Sequence, residues 1–253
     1  MHLRIPGAFC LIVMLAVSVS TLYAQGPAPS AETSVFVPLI VKLGGGSSGG
    51  GAVHTGEATY YNEADGGGNC SFDRTPQDLM VGAMNQTDYA NAAICGAYVE
   101  LTGPNGTITI RIVDRCPECP AGNIDLSPLA FSKIAELVDG RVPISWRIVS
   151  PDIDGPIRYQ FKEGSSQWWT AVQIRNHRNP VAKLEFLDTN GQFVAMERQE
   201  WNYFLPPGSN QGLGPGPYTF RVTDSYGNVL TDTGIALNVA GEIAGGGQFP
   251  KMP

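Results

Sequence analysis

Basic residues are scarce in this sequence, and nowhere do they form a run. The 253 residues include 16 Lys and Arg against 23 Asp and Glu, which gives a formal net charge of −7. Nucleic acids, anionic membrane surfaces and strongly acidic polysaccharides are bound through clustered Lys and Arg. The composition therefore argues against all three as main partners.

Histidine is rarer still, with three residues in the chain. Apart from one at the N-terminus these are His54 and His177, and neither neighbours a plausible nucleophile. Ser–His or Cys–His catalysis is therefore not expected. His177 lies beside Asn176 and Arg178 at the end of an apolar stretch, and we interpret it as a turn residue.

Long apolar runs are missing except at the N-terminus. Arg4 supplies a short positive region, residues 8–19 are apolar apart from Ser18, and small or polar residues lead to a cleavage site after Ala24. A membrane anchor needs about 20 apolar residues, more than this run offers. Residues 1–24 are thus predicted to be a signal peptide, so that the mature protein is secreted, extracellular and free of the membrane.

Cysteine is sparse, and four of the five residues remain after cleavage: Cys70, Cys95, Cys116 and Cys119. An even number in an oxidising compartment indicates disulfides, and four thiols allow three connectivities. The C-x-x-C spacing of Cys116 and Cys119 also occurs in thiol-exchange and zinc sites. Because a second such pair is absent, structural disulfides are favoured and no metal or cofactor is expected. A redox role and a metal site stay as alternatives.

A low-complexity stretch over residues 25–53 follows the signal. It begins rich in Pro and Ala, continues with an apolar segment at 35–43 that Pro38 interrupts, and ends in Gly and Ser at 44–51. This composition is typical of a flexible tether.

The remaining chain reads as two β-rich domains, 54–150 and 151–253 including a C-terminal tail. Strands at 98–101 and 107–113 flank a Gly-Pro-Asn-Gly hairpin signal at 103–106. One helix is predicted to begin at Pro128, since Ser127 is a good N-cap, and to be stopped by Asp139-Gly140.

Its apolar stripe would comprise Leu129, Ile134, Leu137 and Val138. The residues from Val142 to Ile148 then alternate as a strand does.

Two prolines and a glycine between Ser150 and Pro156 mark the boundary near residue 151. Beyond it the pattern predicts only strands and turns, with Asn190-Gly191 as a tight turn. Short strands at this spacing are typical of a small sandwich. The predicted strands are 157–161, 169–174, 184–187, 193–196 and 218–223.

Two carboxylates form the first candidate site. Asp114 ends a strand and Asp125 directly precedes the capped helix. Glycoside hydrolysis commonly uses two carboxylates, one of them held protonated as a general acid. The alternative is structural: Asp125 favours the helix N-terminus electrostatically, and Asp114 pairs with Arg115 or a backbone amide. Spacing alone does not separate these interpretations.

Aromatic residues form the second candidate site. Trp168 and Trp169 are adjacent, and Trp201 and Tyr203 follow among polar neighbours. Flat aromatic side chains exposed on a surface bind the apolar faces of sugars with little ordering cost. Since neighbours in a regular strand face opposite sides, either one Trp is in the core or a bulge exposes both. We favour an exposed sugar-binding platform.

Several ordered segments together resemble the bacterial expansins, from about Gly56 to the C-terminus. The resemblance is carried by Gly56-Glu57-Ala58-Thr59-Tyr60-Tyr61, by Asp114, by Asp125-Leu126-Ser127-Pro128 with Ala130-Phe131, by Lys162-Glu163-Gly164-Ser165-Ser166-Gln167-Trp168-Trp169, by 172–180 and by Gln248-Phe249-Pro250. It implies a mainly β protein, a double-psi β-barrel followed by an immunoglobulin-like carbohydrate-binding β-sandwich. The first 55 residues lie outside it.

The resemblance also implies roles. Thr59, Asp114 and Asp125 match polar groove residues of the first domain, and Asp125 matches the aspartate most needed for wall loosening. The cellulose-binding platform is matched by Trp168, Trp169 and Trp201, where the family has Tyr at the last position, and Lys162 is grouped with it. A Cys70–Cys95 bridge is implied by the same likeness. Cys116 stands where some relatives have an aromatic residue.

Three functions follow as hypotheses. The first is a secreted, monomeric, non-enzymatic protein that binds and loosens cellulose, hemicellulose or peptidoglycan. The second is a weak endoglucanase or peptidoglycan lytic enzyme with Asp125 as general acid, because family-45 glycoside hydrolases and rare-lipoprotein-A-type lytic transglycosylases share the barrel and this aspartate. The third is a plain carbohydrate-binding accessory module.

Overall fold

The computed structural model describes residues 51–62, 64–208 and 211–252. The predicted signal peptide and all but the last three residues of the predicted tether lie outside these ranges. Within them, no helix combines the length and the apolar character that a membrane crossing requires.

Six strands between residues 54 and 149 close into a barrel. Their order around it is β1-β5-β2-β4-β3-β6, and β6 pairs back with β1. Two of the pairings, β1–β5 and β2–β4, are parallel, and such neighbours need long crossover connections. The strands are β1 (His54–Tyr60), β2 (Val81–Asn85), β3 (Tyr98–Gly103), β4 (Gly106–Cys116), β5 (Ile124–Leu126) and β6 (Val142–Val149).

The predicted hairpin is confirmed as β3 and β4, which pair in register down to Gly103 and Gly106. Three isoleucines of β4 alternate toward the interior as the pattern predicts. Ile110 and Ile112 are fully buried, and Ile108 packs partly against the same core. The alternating strand predicted at 142–148 is likewise confirmed as β6.

Two short helices accompany the barrel, α1 (Gln86–Tyr89) and α2 (Pro128–Phe131). The start of α2 agrees with the prediction, because the Ser127 hydroxyl caps it by accepting a hydrogen bond from the Ala130 amide at 3.0 Å. Its predicted length is wrong. The α-helix ends at Phe131, and only a 3-10 turn, Leu137–Asp139, precedes Gly140.

Of the predicted apolar stripe of this segment, only Ile134 is confirmed as buried. Leu129, Leu137 and Val138 are exposed, and Val138 is 92% exposed. The side chains that enter the core are Phe131 and Ile134. Burial of these two residues, rather than a continuous stripe, holds the segment on the barrel.

The C-terminal half contains two sheets. One has four strands in the order β10-β9-β13-β14, and the other has five in the order β11-β12-β8-β7-β15. The strands are β7 (Arg158–Phe161), β8 (Val172–Arg175), β9 (Val181–Leu187), β10 (Phe193–Ala195), β11 (Glu197–Arg198), β12 (Phe204–Leu205), β13 (Tyr218–Asp224), β14 (Val229–Ile235) and β15 (Ile243–Ala244).

Both sheets contribute to one hydrophobic core. Tyr159 and Phe161 come from the five-stranded sheet, and Leu184 and Phe220 from the four-stranded one. The rings of Tyr159 and Phe220 stack with centroids 5.3 Å apart. The five predicted strands correspond to β7, β8, β9, β10 and β13 to within three residues, although β8 begins at Val172 rather than at Trp169. The strands β11, β12, β14 and β15 are absent from the prediction.

The barrel and the two sheets belong to one compact unit. The Cys70 carbonyl in a barrel loop accepts hydrogen bonds from the side-chain amides of Gln173 at 2.8 Å and Asn202 at 3.2 Å. The buried Arg175 guanidinium reaches Asp73 of the same loop at 2.6 Å. These polar contacts hold the barrel loop against the five-stranded sheet.

Candidate functional site: a polar row beside an aromatic surface

Four residues in adjacent strands form a row across the barrel. Thr59 of β1 pairs with Asp125 of β5, and Ala83 of β2 pairs with Asp125 on one side and Asp114 of β4 on the other. Residues opposite one another in neighbouring strands point to the same face of a sheet. The structure thus brings together the three predicted polar residues Thr59, Asp125 and Asp114. We name these three residues the groove row.

Asp125 is half-buried and is held by one partner, since the Thr59 hydroxyl donates a hydrogen bond to its Oδ1. Burial raises the pKa of the Asp125 carboxyl above its usual range, and the negative charge of Glu118 adds to the rise. The Thr59 hydrogen bond and the charge of Arg141 oppose it in part. The protonated form of Asp125 therefore persists to a higher pH than in a free aspartate.

Asp114 has a different environment. Its Oδ1 accepts hydrogen bonds from the backbone amides of Asn69 at 2.6 Å and Arg115 at 2.8 Å. Gly68 passes so close that a Cβ there would lie 2.4 Å from the Asp114 side chain. Asp114 thus pairs with backbone amides, as in the structural interpretation, and holds the 68–70 loop, while its second oxygen is left without a hydrogen bond within the described chain.

Tyr61 is a member of this site that the sequence reasoning missed. It stands two residues after Thr59, and its amide bonds to the Leu126 carbonyl at 3.1 Å, which continues the β1–β5 ladder. The Tyr61 hydroxyl is buried and has no hydrogen-bond partner among the described residues. Burial first, and then the charges of Asp114 and Asp125, raise the pKa of this phenol. The strand period of two, applied from Thr59, is the signal that would have identified it.

The aromatic residues lie in the C-terminal half. Trp169 and Trp201 pack against a small buried cluster that includes Tyr203, and the rings of Trp201 and Tyr203 are 5.1 Å apart. The Lys162 ammonium is 5.5 Å from the Trp201 ring centre, within the range of a cation–π contact. With Trp168 we name these residues the aromatic surface.

Trp168 and Trp169 are not part of a regular strand. Ser166 and Trp169 form an isolated bridge, with Trp168 in the turn between them. Trp168 is 76% exposed and Trp169 only partly so. Gly212 lies directly against this turn, where a Cβ would meet the Gln167 carbonyl at 2.0 Å. The irregular turn is what exposes Trp168 while its neighbour packs on the sheet.

Residues next to the groove row contact Glu200, the residue before Trp201 of the aromatic surface. The Glu200 carbonyl, one residue before Trp201, accepts hydrogen bonds from the Tyr89 hydroxyl at 2.7 Å and the Asn69 side-chain amide at 2.8 Å. The Glu200 carboxylate lies 3.2 Å from the Arg115 guanidinium. Asn69 and Arg115 are the two residues whose amides hold Asp114. The two candidate sites are therefore connected through the same few residues.

The four cysteines form two disulfides in the structure. Cys70 bonds to Cys95, the bridge that the resemblance implies, and Cys116 bonds to Cys119. In this form neither sulfur of the C-x-x-C sequence is available to a metal ion. Within the part of the chain that the structure describes, no group of three or more His, Cys, Asp or Glu residues could hold one.

Comparisons with known proteins agree with this geometry. The family model described as lytic transglycolase matches residues 53–146, which include the barrel up to the middle of β6. The chain is 38% identical to expansin-YoaJ of Bacillus subtilis over 208 residues, which cover 79% of this chain and 88% of that protein. Expansin-like protein 2 of Dictyostelium discoideum is 29% identical over 77% of this chain and 50% of its own length.

Solved structures show the same likeness. A variant of the Clavibacter michiganensis expansin in complex with cellohexaose superposes with a TM-score of 0.72 at 30% identity, covering 79% of this chain and 99% of that one. The apo form of that expansin gives the same values. Together with the closed six-stranded barrel, these matches confirm the predicted double-psi β-barrel. The chain belongs to the expansin family.

Proposed function

We propose that this protein is secreted and binds cellulose or a related cell-wall polysaccharide, which it loosens without hydrolysis. In this proposal residues 1–24 are the signal peptide, 25–53 the tether, 54–150 the barrel domain, and 151–253 an immunoglobulin-like carbohydrate-binding domain. The related Clavibacter expansin, whose structure contains cellohexaose, supports a glucan as ligand. Hemicellulose and peptidoglycan are the other candidate polymers.

The observation that carries the proposal is the contact at Glu200. This contact supports a location of the groove row near the aromatic surface, because Tyr89 and the Asn69 side chain donate hydrogen bonds to the carbonyl that precedes Trp201. A glucan held on Trp168, Trp169 and Trp201 therefore has a short path to the barrel. Exposed aromatic rings provide adhesion to sugar faces, and the polar row provides hydrogen bonds to sugar hydroxyls.

Asp125 supplies the loosening step in this proposal. Its raised pKa favours a protonated carboxyl, which donates a hydrogen bond as well as accepting one. Such a group can replace a hydrogen bond between neighbouring glucan chains without breaking a covalent bond. Asp114, with one oxygen committed to two backbone amides, serves to shape the groove and to accept one further hydrogen bond.

The alternative function is a weak endoglucanase or lytic transglycosylase. The family model described as lytic transglycolase and the raised pKa of Asp125, which suits a general acid, favour it. Hydrolysis with inversion needs a second carboxyl group about 6.5–9.5 Å from the acid, with room for a water molecule between them. Asp114 is the nearest such candidate in the groove row.

One paired measurement separates the two functions. Purified protein is applied to cellulose and to wall strips, and mechanical creep is recorded together with new reducing ends and anhydro-sugar products. The proposal expects creep without new ends, loss of creep in Asp125→Asn, and unchanged cellulose binding in that variant. New ends that disappear in Asp125→Asn would instead establish the enzyme.

The aromatic surface is tested by the combined Trp168→Ala, Trp169→Ala and Trp201→Ala variant. Cellulose binding that survives this change would contradict its proposed role.

A further comparison concerns the accessory-module hypothesis. Because that hypothesis makes the barrel a scaffold, it expects Asp125→Asn to have no effect on creep.

A further inference from the structure

A pocket of about 270 Å³ opens between the barrel and the five-stranded sheet. The barrel contributes Phe72, Gly96 and Arg111 to its wall, and the C-terminal half contributes Arg175 and His177. None of the residues that line it belongs to the groove row or to the aromatic surface. Its volume is slightly below the roughly 300–1,000 Å³ of small-molecule sites, which suits one or two sugar rings rather than an extended chain.

The charges around the pocket balance. Three arginines and three carboxylates line it, namely Arg111, Arg158, Arg175, Asp73, Asp154 and Glu242. Several of them pair with one another: Arg175 lies 2.6 Å from Asp73 and 3.1 Å from Glu242, and Arg158 lies 3.6 Å from Glu242. A ligand with charge of one sign would meet like charges on this wall, so the lining favours a neutral polar ligand.

Arg158 and Arg175 are paired with carboxylates, whereas Arg111 has no carboxylate within 4.0 Å among the described residues. Its buried Nε also lacks a hydrogen-bond partner there. The guanidinium lies 5.1 Å from the centre of the Phe72 ring, which holds it in place through a cation–π contact. A buried donor without a partner is costly in a folded protein and often marks a place where a ligand or water completes the hydrogen bonds.

His177 supplies the complementary acceptor. Its Nδ1 lies 2.8 Å from the Asn179 carbonyl, which only accepts, so the proton of the neutral ring is on Nδ1 and Nε2 carries a lone pair. Burial, together with the charges of Arg198 and Arg111, lowers the pKa of His177 to about 4. The ring is therefore a neutral acceptor at any pH well above that value.

Gly96 leaves room for this nitrogen. A Cβ on Gly96 would lie 2.7 Å from His177 Nε2 and 3.0 Å from the Phe72 ring. The backbone of Gly96 has φ +75°, a conformation that side chains disfavour. The pocket is thus lined from the barrel by Arg111, an arginine without a carboxylate partner in the described chain, and from the C-terminal half by His177, whose ring is neutral well above pH 4.

A hydroxyl group of a ligand would suit these two residues, because it can accept a hydrogen bond from Arg111 while it donates one to His177. Sugars carry several adjacent hydroxyls and no charge, which matches both the donor–acceptor pair and the balanced lining. We propose that this pocket is a binding site for one or two residues of a neutral oligosaccharide, separate from the surface that holds the polymer. It goes beyond the proposed function and does not depend on the groove row or the aromatic surface.

The test is a titration of the full chain with cellobiose and with xylobiose, followed by the backbone amide NMR signals of Gly96 and Phe72. Saturable shifts at these two amides are expected with at least one of the two sugars. Arg111→Gln, which keeps a polar side chain without the charged donors, should weaken that binding about ten-fold, as loss of a hydrogen bond from a charged group does. Arg158→Gln serves as a second variant if Arg111→Gln fails to fold.

The combined Trp168→Ala, Trp169→Ala and Trp201→Ala variant separates this site from the proposed function. It should lose binding to cellulose while the shifts at Gly96 persist. Shifts confined to the aromatic surface, or no saturable shift at Gly96 with either sugar, would overturn the proposal. Tighter saturation by glucuronate than by the neutral sugars would also overturn it, since the pocket would then be an anion site.

Discussion

Asp114 and Asp125 pair with opposite sides of Ala83, so two strand spacings, about 10 Å, separate their backbones. Their environments differ as much as their positions. One oxygen of Asp114 accepts hydrogen bonds from two backbone amides, whereas Asp125 is held by the Thr59 hydroxyl and burial raises its pKa. A glucan that spans the row would meet a side chain fixed by the backbone at Asp114 and a carboxyl with a raised pKa at Asp125.

The first prediction concerns pH. If the protonated form of Asp125 is the active one, creep should decline as the pH rises through its raised pKa. Thr59→Val removes a hydrogen bond that favours the ionised carboxylate, so the pKa of Asp125 should rise further and the decline should move to a higher pH. Creep recorded against pH on wall strips measures this midpoint.

Thr107→Val is the matched control, because the Thr107 hydroxyl lies in the β3–β4 hairpin and contacts Thr102 at 2.8 Å. It should leave the midpoint of the pH profile unchanged. The position of the midpoint, rather than the amplitude of creep, is the readout, since Thr59→Val also removes a groove hydroxyl. A midpoint that stays in place or moves to lower pH would contradict the assignment to Asp125.

The second prediction compares the stability effects of removing the hydroxyl from two buried tyrosines. Tyr61 has no hydrogen-bond partner for its hydroxyl within the described residues, whereas the Tyr159 hydroxyl donates to Asp232 at 2.8 Å. Tyr61→Phe should therefore leave the free energy of unfolding unchanged or raise it by about 1 kcal/mol, and Tyr159→Phe should lower it by about 1–3 kcal/mol, because the buried Asp232 Oδ2 loses its hydrogen bond. Urea denaturation of both variants tests the contrast.

The two variants should also differ in function. Tyr61→Phe is expected to weaken creep, because a sugar bound at the groove row would supply the hydrogen-bond partner that the Tyr61 hydroxyl lacks within the described residues. Tyr159→Phe, in the core between the sheets, should leave creep per folded molecule unchanged. A loss of stability in Tyr61→Phe would mean that its hydroxyl has a partner, and creep at the wild-type level would remove Tyr61 from the site.

Local signals in the sequence were sufficient for part of the fold. The hairpin of β3 and β4 was predictable because its turn residues and alternating isoleucines act within twenty residues. The N-cap Ser127 was predictable for the same reason. The helix it begins was predicted too long, since exposure of Leu129 and Val138 depends on how the segment lies on the barrel, which the spacing of apolar residues does not encode.

Long-range pairing was not predictable in the same way. That Thr59 would lie beside Asp125, 66 residues away, followed from the resemblance and not from spacing. Strand β14 went unpredicted because only Asp232 and Ile235 within it are buried, which gives no alternation. Trp169 was placed in a strand because apolar residues follow it, whereas the turn that exposes Trp168 is held by the distant Gly212.

The third prediction separates binding from stability on the aromatic surface. Trp168 is 76% exposed, so Trp168→Ala should change the free energy of unfolding by less than about 0.5 kcal/mol while cellulose binding falls. Trp169 packs against the cluster around Tyr203, so Trp169→Ala should lower both binding and stability. Pull-down with cellulose and urea denaturation give the two quantities.

Tyr226→Ala is the control for exposed aromatic area, since Tyr226 is 41% exposed and lies outside the aromatic surface. It should not change the bound fraction. Equal loss of binding in Tyr226→Ala and Trp168→Ala would show that any exposed ring adheres to cellulose, and would contradict a specific surface.

The fourth prediction ranks the two disulfides. Cys70–Cys95 joins residues 25 apart and Cys116–Cys119 residues 3 apart. Because the stabilisation from restricting the unfolded chain grows with loop length, loss of the first bridge should cost about 3.5 kcal/mol and loss of the second about 2 kcal/mol. The Cys70→Ser/Cys95→Ser and Cys116→Ser/Cys119→Ser variants, compared by urea denaturation, measure both costs.

Loss of the Cys70–Cys95 disulfide should also weaken the contact between the barrel and the five-stranded sheet. The Cys70 carbonyl accepts the hydrogen bonds of Gln173 and Asn202, so a loosened 70–73 loop weakens the junction. Gln173→Ala alone should reproduce part of this effect with both disulfides intact. If the loss of Cys70–Cys95 and Gln173→Ala were fully additive, the bridge would act only through the unfolded chain; a double-variant cost below the sum would show that the bridge positions the carbonyl.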